Sequence, residues 1–347
     1  MSTLIVDWLG RGGIAQTSEA WAIELADHEH EVVVATRAGR ELATLDVDVR
    51  CTVISASGPT RVAAHRKVVA AAVRGIRDHR PSCVVIQNYV VPALELPAYR
   101  AARDVGAQVV FVVHDDRLHT RQAGSHAGFR AAVARADTIV AHTHWVAQRV
   151  ATRTGRDVRV VAHPVQLGLL RRPTAPPTEP RDDRSRDLVA VHFGVLRRRY
   201  KGTRIVEALA DRTEGWSFVA LGVGAPPARR GLVSDPRYLD GSELVRRVGA
   251  GDAALLPYRH ATQSGAVVLA QALGTVPLVS AVGGIPEQVN HGEDGILMTR
   301  GAGVGAWSAA LVDLRDDRLR KQLGRAACDR VWRAHDRFVA AIRELVA

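Results

Sequence analysis

The chain is short of the residues that mark several special classes. Its 347 residues hold three cysteines, Cys51, Cys83 and Cys328. They are odd in number, far apart and set among apolar neighbours, which argues against a disulfide framework or a zinc site and suits reduced thiols in a core. Aromatic residues make up only 5% and do not interleave with the basic clusters. With no helix-turn-helix, zinc-finger or single-strand-binding pattern either, nucleic acid is not an expected partner. No run of about 18 apolar residues occurs, so no membrane-spanning helix is expected. The opening MSTLIVDWLG starts a strand-like segment at once, without the charged lead and apolar stretch of a secretory signal. A cytoplasmic address is the expectation.

Lysine is scarce as well. The net charge of +11 is carried by arginine, because only Lys67, Lys201 and Lys321 are lysines. Such a balance favours anionic partners, among them nucleotide diphosphates and acidic membrane surfaces. Most of the arginines read as solvated surface, so charge alone assigns no function.

What is abundant is alternation. Short valine-rich runs recur between longer stretches of helical period, the pattern of two βα-repeated halves with parallel sheets. At roughly 150 residues per domain the length fits two domains. The predicted strands of the first half are 4–7, 32–36, 49–54, 83–87, 109–113, 138–141 and 158–162. Those of the second half are 188–193, 217–221, 253–256, 277–280 and 295–298. Between the halves RRPTAPPTEPRDDRSRD, rich in proline and charge, reads as a linker. The expected organisation is a first Rossmann-like domain over 1–168, a linker over 169–187, a second Rossmann-like domain over 188–325, and a last helix over 326–347 carrying Trp332 and Phe338.

Several motifs sit where strands give way to helices. Gly10-Arg11-Gly12-Gly13 follows the first strand, and its amides can approach a diphosphate or a sugar hydroxyl. It is not the spaced Gly-x-Gly-x-x-Gly fingerprint, and VVVATR offers no acidic residue at the end of the second strand, which disfavours a nicotinamide cofactor. His114 ends a strand and can offer a neutral imidazole to a sugar or an acceptor. His119, His142, His144 and His163 read as structural. Lys201, in FGVLRRRYKG, follows a strand and can set its ammonium against a leaving diphosphate, with Arg197, Arg198 or Arg199 beside it. Thr262-Gln263-Ser264-Gly265-Ala266 enters a helix, whose first amides favour an anion, and a Gly283-Gly284-Ile285-Pro286-Glu287 turn follows the next strand.

Taken in order, these blocks resemble the retaining GT-B glycosyltransferases of family 4. The resemblance implies an α/β fold of two doubly wound parallel-sheet domains facing across a cleft, the first binding an acceptor and the second a nucleoside-diphosphate sugar. It also implies that the last helix crosses back to the first domain. Catalytic roles then fall to His114 and Lys201, and donor contacts to Gly12, Gly13, Arg197, Arg199, Thr262, Gln263, Ser264, Gly265 and Ala266. The chain departs from the pattern at three places. The family's Glu-x7-Glu pair is replaced by Thr262 and Ala270, and Val195 stands where an arginine is usual. Gln271, one position beyond Ala270, points about 100° around the helix. Glu287 is expected to cap the next helix rather than touch substrate.

The expected activity is transfer of a sugar, UDP-linked and of uronic-acid type, to a small molecule of natural-product assembly, with retention and without a metal or other cofactor. A lipid-linked or cell-envelope acceptor, a silent GT-B binding module and a sugar-nucleotide epimerase are the alternatives. Two further signals carry less. Asp46-Val47-Asp48 matches an Asp-x-Asp metal pattern but reads as strand-edge carboxylates. Arg61, Arg66, Lys67, Arg74, Arg77 and Arg80 lie along a helix with Val68, Val69, Val73 and Ile76. That helix could touch an acidic membrane or pack on the first sheet, and packing is the better reading.

Overall fold

The structure, a computed structural model, describes residues 1–38, 51–115, 125–166, 168–170, 187–197 and 199–347. The Asp46-Val47-Asp48 motif, His119, Arg198 and nearly all of the linker lie outside the described residues. The chain divides into two compact units, one of Met1–Gly168 with His335–Ala347, the other of Leu169–Ala334.

The first unit is built on β1 (Ser2–Asp7), β2 (Glu31–Arg37), β3 (Cys51–Ala56), β4 (Cys83–Gln87), β5 (Gln108–Val113), β6 (Thr138–Ala141) and β7 (Arg159–Val160). They form one sheet in the order β3-β2-β1-β4-β5-β6-β7, with every neighbouring pair parallel. Helices α1 (Gly12–Asp27), α2 (Arg61–His79), α3 (Pro92–Asp104), α4 (Ser125–Val133) and α5 (His144–Thr154) connect the strands. Central β4 is buried at every position, as expected of a parallel strand covered on both faces. Edge strand β3 is only half-buried. Thr60 caps α2 by accepting the Ala63 N–H, and Val68, Val69 and Ile76 of that helix are buried. The close approach of Gly75 to Leu4 and Ile54 shows that the apolar face packs on the sheet.

The second unit repeats the plan with β8 (Leu188–Phe193), β9 (Trp216–Leu221), β10 (Leu232–Asp235), β11 (Ala253–Leu256), β12 (Val276–Ser280) and β13 (Ile296–Met298). Their order is β10-β9-β8-β11-β12-β13, again parallel throughout. Its helices are α6 (Thr203–Ala210), α7 (Gly241–Gly249), α8 (Gly265–Ala272) and α9 (Val304–Asp313). The final helix, α10 (Asp317–Val346), begins in this unit, and its last turns, from His335 onward, belong to the first. Each unit is thus a doubly wound, Rossmann-like α/β domain. In each, strand order reverses beside the first strand, between β1 and β4 and between β8 and β11, where the carboxyl ends of an open sheet leave a ligand crevice.

Three expectations need correction. Strand β10 was not foreseen: it is an edge strand whose Val233 is 57% exposed, so it lacks the buried valine run that marks its neighbours. Helix α10 starts at Asp317 rather than at residue 326. Its first turns are held by ion pairs from Asp317 to Arg320 (2.9 Å) and Lys321 (2.7 Å), and Leu319 and Leu323, four apart, pack on the core of the second unit. Glu287 does not cap a following helix, because Ile285–Glu287 is itself a single 3-10 turn that leads into a loop.

Candidate functional site

At the switch point of the first sheet, Asp7 ends β1 fully buried, and its carboxylate accepts the N–H groups of Leu9 (2.7 Å) and Gly10 (3.0 Å). That tie sets the glycine loop. A Cβ on Gly10 would lie 1.9 Å from the Arg37 carbonyl oxygen, so Gly10 is needed for packing. Gly12, at φ +71°, and Gly13 meet nothing within 4 Å at the same position. They open the first turn of α1, which has neither a side-chain cap nor an acidic residue. One motif therefore divides into a glycine that holds the turn and two that leave room for a ligand.

His114 follows β5 and is 5% exposed, with Nε2 3.0 Å from Gln87 Oε1. Its ring lies 5.0 Å from that of His142, which lies 5.1 Å from His163. Burial holds the His114 imidazole well below its ordinary range, and the two neighbouring histidines push it the same way. His142 is held at about 3 by burial and by His163, although its Nδ1 donates to the Val161 carbonyl. Three neutral rings thus line the carboxyl ends of β5 and β6 and the segment after β7.

In the second unit, the loop after β8 closes in a 3-10 turn at Arg199–Lys201. Gly202 follows at φ +73°, and a Cβ there would lie 1.8 Å from the Pro257 carbonyl oxygen. This close approach carries Lys201 to the residue after Pro257. Its ammonium stands 4.4 Å above the ring of Tyr258 and 3.3 Å from the phenolic oxygen, a cation–π contact reinforced by a hydrogen bond. The Tyr258 hydroxyl is in turn 2.9 Å from the Ser264 hydroxyl. Lysine is a donor only, so Tyr258 accepts from it and donates to Ser264.

Ser264 caps α8, its hydroxyl accepting the Val267 N–H at 3.4 Å. Gln288 grips the same residue from the opposite side: its carbonyl takes the Ser264 N–H at 2.8 Å and its amide donates to the Ser264 carbonyl at 3.3 Å. The Ser264 amide is therefore engaged within the protein, which corrects the expectation that the whole turn offers amides to an anion. Gly265 and Ala266 are the first residues of the helix. Gly283 explains why the Gly-Gly turn must follow. At φ +56° its missing Cβ would sit 1.7 Å from the Ala261 carbonyl oxygen, so the turn lies directly on the backbone before Thr262.

Positions of the missing glutamates are equally well defined. Thr262 is only 7% exposed, and Ala270 is fully buried in the core of the second unit. Gln271 does not stand in for a ribose ligand, because its amide donates to the Gln288 carbonyl at 2.8 Å. Val195, at the place of the usual arginine, is 40% exposed.

Sequence reasoning missed Tyr258, Gln288 and His192. At the second switch point β8 and β11 pair only through Ala190 and Val191. Beyond that pairing His192, fully buried, joins the Leu255 carbonyl (2.8 Å) to the Thr203 hydroxyl (3.2 Å). The carbonyl can only accept, which places the proton on Nδ1 and leaves Nε2 to accept from Thr203. Burial depresses this imidazole to about 4.

Arg197 and Arg199 line a cavity of about 610 Å³ that also takes in Tyr258, Ser280 and Trp307. Lys201 and the Ser264 turn are not among its walls. The second unit thus holds together Lys201, Tyr258 and Ser264, with Arg197 and Arg199 on the adjoining cavity, whereas Gly12, Gly13 and His114 belong to the first unit. No group of three or more His, Cys, Asp or Glu side chains among the described residues is arranged to hold a metal ion, and no described helix is long and apolar enough to cross a membrane.

Comparison with known proteins places this geometry. Residues 11–169 match the family described as Glycosyltransferase Family 4, and residues 189–317 match the family described as Glycosyl transferases group 1. No curated protein sequence matches significantly. Among solved structures, HepE of Anabaena in complex with UDP-glucose is similar at 17% identity and a TM-score of 0.71, covering 100% of this chain and 98% of that one. A glycosyltransferase from Rickettsia africae gives 15% identity and 0.76, covering 99% and 97%. Sucrose-phosphate synthase from Thermosynechococcus elongatus gives 15% and 0.74, covering 99% and 98%. At such identities the structural likeness speaks to the fold, and the two family matches carry the assignment. The chain belongs with the GT-B glycosyltransferases, a family 4 domain followed by a group 1 domain.

Proposed function

We propose that the protein transfers a sugar from a nucleoside-diphosphate sugar, UDP-linked, to a small-molecule acceptor of natural-product assembly in the cytoplasm, with retention of configuration. The observation that carries this reading is the Lys201 ammonium, fixed by Tyr258 beside the start of α8 at the switch point of the second sheet. A pyrophosphate there would meet a positioned cation and the first amides of a helix, Gly265 and Ala266. As the bond between the anomeric carbon and the diphosphate oxygen breaks, the electron pair leaves with the diphosphate, and these groups stabilise its charge through an oxocarbenium-like state. Arg197 and Arg199 add to the donor contacts. Fixed positive groups of this kind make a metal unnecessary to the proposal. Thr262 and Gln263 supply hydroxyl and amide groups for the sugar, and in the first unit the neutral His114 is offered to the acceptor. The solved HepE structure, which binds UDP-glucose, supports UDP as the first nucleotide to try.

Loss of both family glutamates, at Thr262 and Ala270, in an arginine-rich chain favours a donor sugar that bears a carboxylate. Turnover of UDP-glucuronate and UDP-glucose is the comparison to make, and equal or better use of the neutral sugar would reject a uronic-acid donor. The missing pair also favours a second reading, a GT-B module that binds without transferring. Lys201→Ala distinguishes the two. Donor hydrolysis or transfer should fall by about a hundredfold or more, as on removal of a group that stabilises transition-state charge, whereas a silent module shows no turnover to lose.

A further inference from the structure

Five arginines of the second unit sit in ion pairs among the described residues. Arg229 meets Glu207 and Asp211, and Arg237 and Arg247 converge on Asp235 at 2.7 and 2.6 Å. Arg320 meets Asp317, and Arg330 meets Asp294 at 3.3 Å. The cavity of about 610 Å³ gathers five others. Arg197, Arg199, Arg204, Arg259 and Arg300 all line it, and among the described residues no carboxylate does. Among the described residues, none of these five side chains forms an ion pair or a hydrogen bond. They arrive from three separate places: the turn after β8 with the start of α6, the loop after β11, and the turn after β13. An arginine-rich composition spreads charge over a surface, but it does not bring three strand ends of one sign around a hollow.

All five are exposed, so solvent screens much of their mutual repulsion, and a bound anion would relieve what remains. The guanidinium fork suits phosphate or sulfate in particular, through paired N–H donors. Buried Trp307 and Ser280 contribute an apolar wall and a hydroxyl. The volume lies within the range of small-ligand sites, roughly 300–1,000 Å³. Assigning Arg197 and Arg199 to the donor still leaves Arg204, Arg259 and Arg300 without a role. Lys201 and the Ser264–Ala266 turn do not line this space, and Tyr258 is the wall that adjoins them.

We propose that this cavity is a second anion site, taking a small soluble molecule with at least two phosphate or sulfate groups while a nucleotide sugar occupies the Lys201 locus. The test is isothermal titration of inorganic tripolyphosphate into the full chain, with and without saturating UDP. Binding should persist with UDP present and survive Lys201→Ala. It should weaken by about ten- to a hundredfold in Arg204→Gln/Arg300→Gln, as for the loss of charged hydrogen bonds, while UDP affinity is kept. Arg300→Gln alone, at an exposed position, serves if the double variant folds poorly. Absence of binding, competition by UDP, or equal affinity in the variants would overturn the proposal. So would capture by phosphatidic acid vesicles without binding of tripolyphosphate, which points to a lipid surface instead. If UDP itself does not bind, the donor reading fails, and the tripolyphosphate titration still reports on the arginine cavity.

Discussion

The phenolic oxygen of Tyr258 lies between the Lys201 ammonium, at 3.3 Å, and the Ser264 hydroxyl, at 2.9 Å. Tyr258→Phe keeps the ring under the ammonium but removes both hydrogen bonds. Each is worth about 0.5–1.5 kcal/mol, so the loss of both should lower kcat by roughly 5- to 150-fold with little change in donor KM. Tyr258→Leu, which also removes the cation–π contact, should cost more. Steady-state kinetics on the donor found to turn over decides it, and equal kcat in Tyr258→Phe would exclude the chain of contacts from the reaction. Lys201 could be picked out in the sequence because lysine is so rare there. Tyr258, Gln288 and His192 could not, because each matters only through a partner distant in sequence. Tyr258 and Lys201 are 57 positions apart, and the Gln288 grip on Ser264 spans 24.

Buried histidines give the stability a pH dependence of fixed sign. His114, His142, His163 and His192 all have lowered folded-state values, about 3 for His142 and about 4 for His192. Above about pH 6.5 folded and unfolded chains both carry these rings neutral, and the rings add no pH dependence. Below it the unfolded chain takes up protons that the folded one refuses. Stability therefore falls with pH, by up to about 1.4 kcal/mol per unit for each ring, until the folded values are reached. Urea midpoints at pH 7, 6 and 5 should decline, and His142→Asn should flatten the slope. A midpoint constant from pH 7 to 5 contradicts this account.

At the scale of elements, the loops of the second unit depend on glycines that admit a neighbouring carbonyl. Gly202→Ala would force a Cβ against the Pro257 oxygen, and Gly283→Ala would do the same at Ala261. Both positions also lie at positive φ, so each change should destabilise by about 2 kcal/mol or more. Thermal unfolding should register a drop of roughly 4–8 °C, whereas Gly301→Ala, which meets nothing within 4 Å, should cost less. An equal loss at all three would show that positive φ, not contact, is the constraint. Strands were legible wherever both faces are covered: the runs at 83–87, 138–141, 188–193 and 253–256 coincide with β4, β6, β8 and β11. Edge strands β3, β7 and β13 were read as well, whereas the half-exposed edge strand β10 and the charged first turns of α10 were not.

For the whole molecule, the last turns of α10 complete the first unit. Phe338 packs edge-on against Trp21 with ring centroids 5.7 Å apart, and His335 joins Glu24 at 2.9 Å and accepts the Val165 N–H at 3.2 Å. Deleting His335–Ala347 should uncover buried Trp21. Hydrogen exchange should then accelerate in α1 while the amides of β8 and β11 keep their protection; unchanged exchange in α1 would show that the segment is dispensable to that unit. The same arrangement sets an order of events at the ribosome. Residues 1–168 emerge before the piece that seals their core, which is made only after all of Leu169–Ala334. At about 5–20 residues per second the nascent amino-terminal half waits roughly ten to thirty seconds with an aromatic face uncovered, an interval in which chaperones have a ready target.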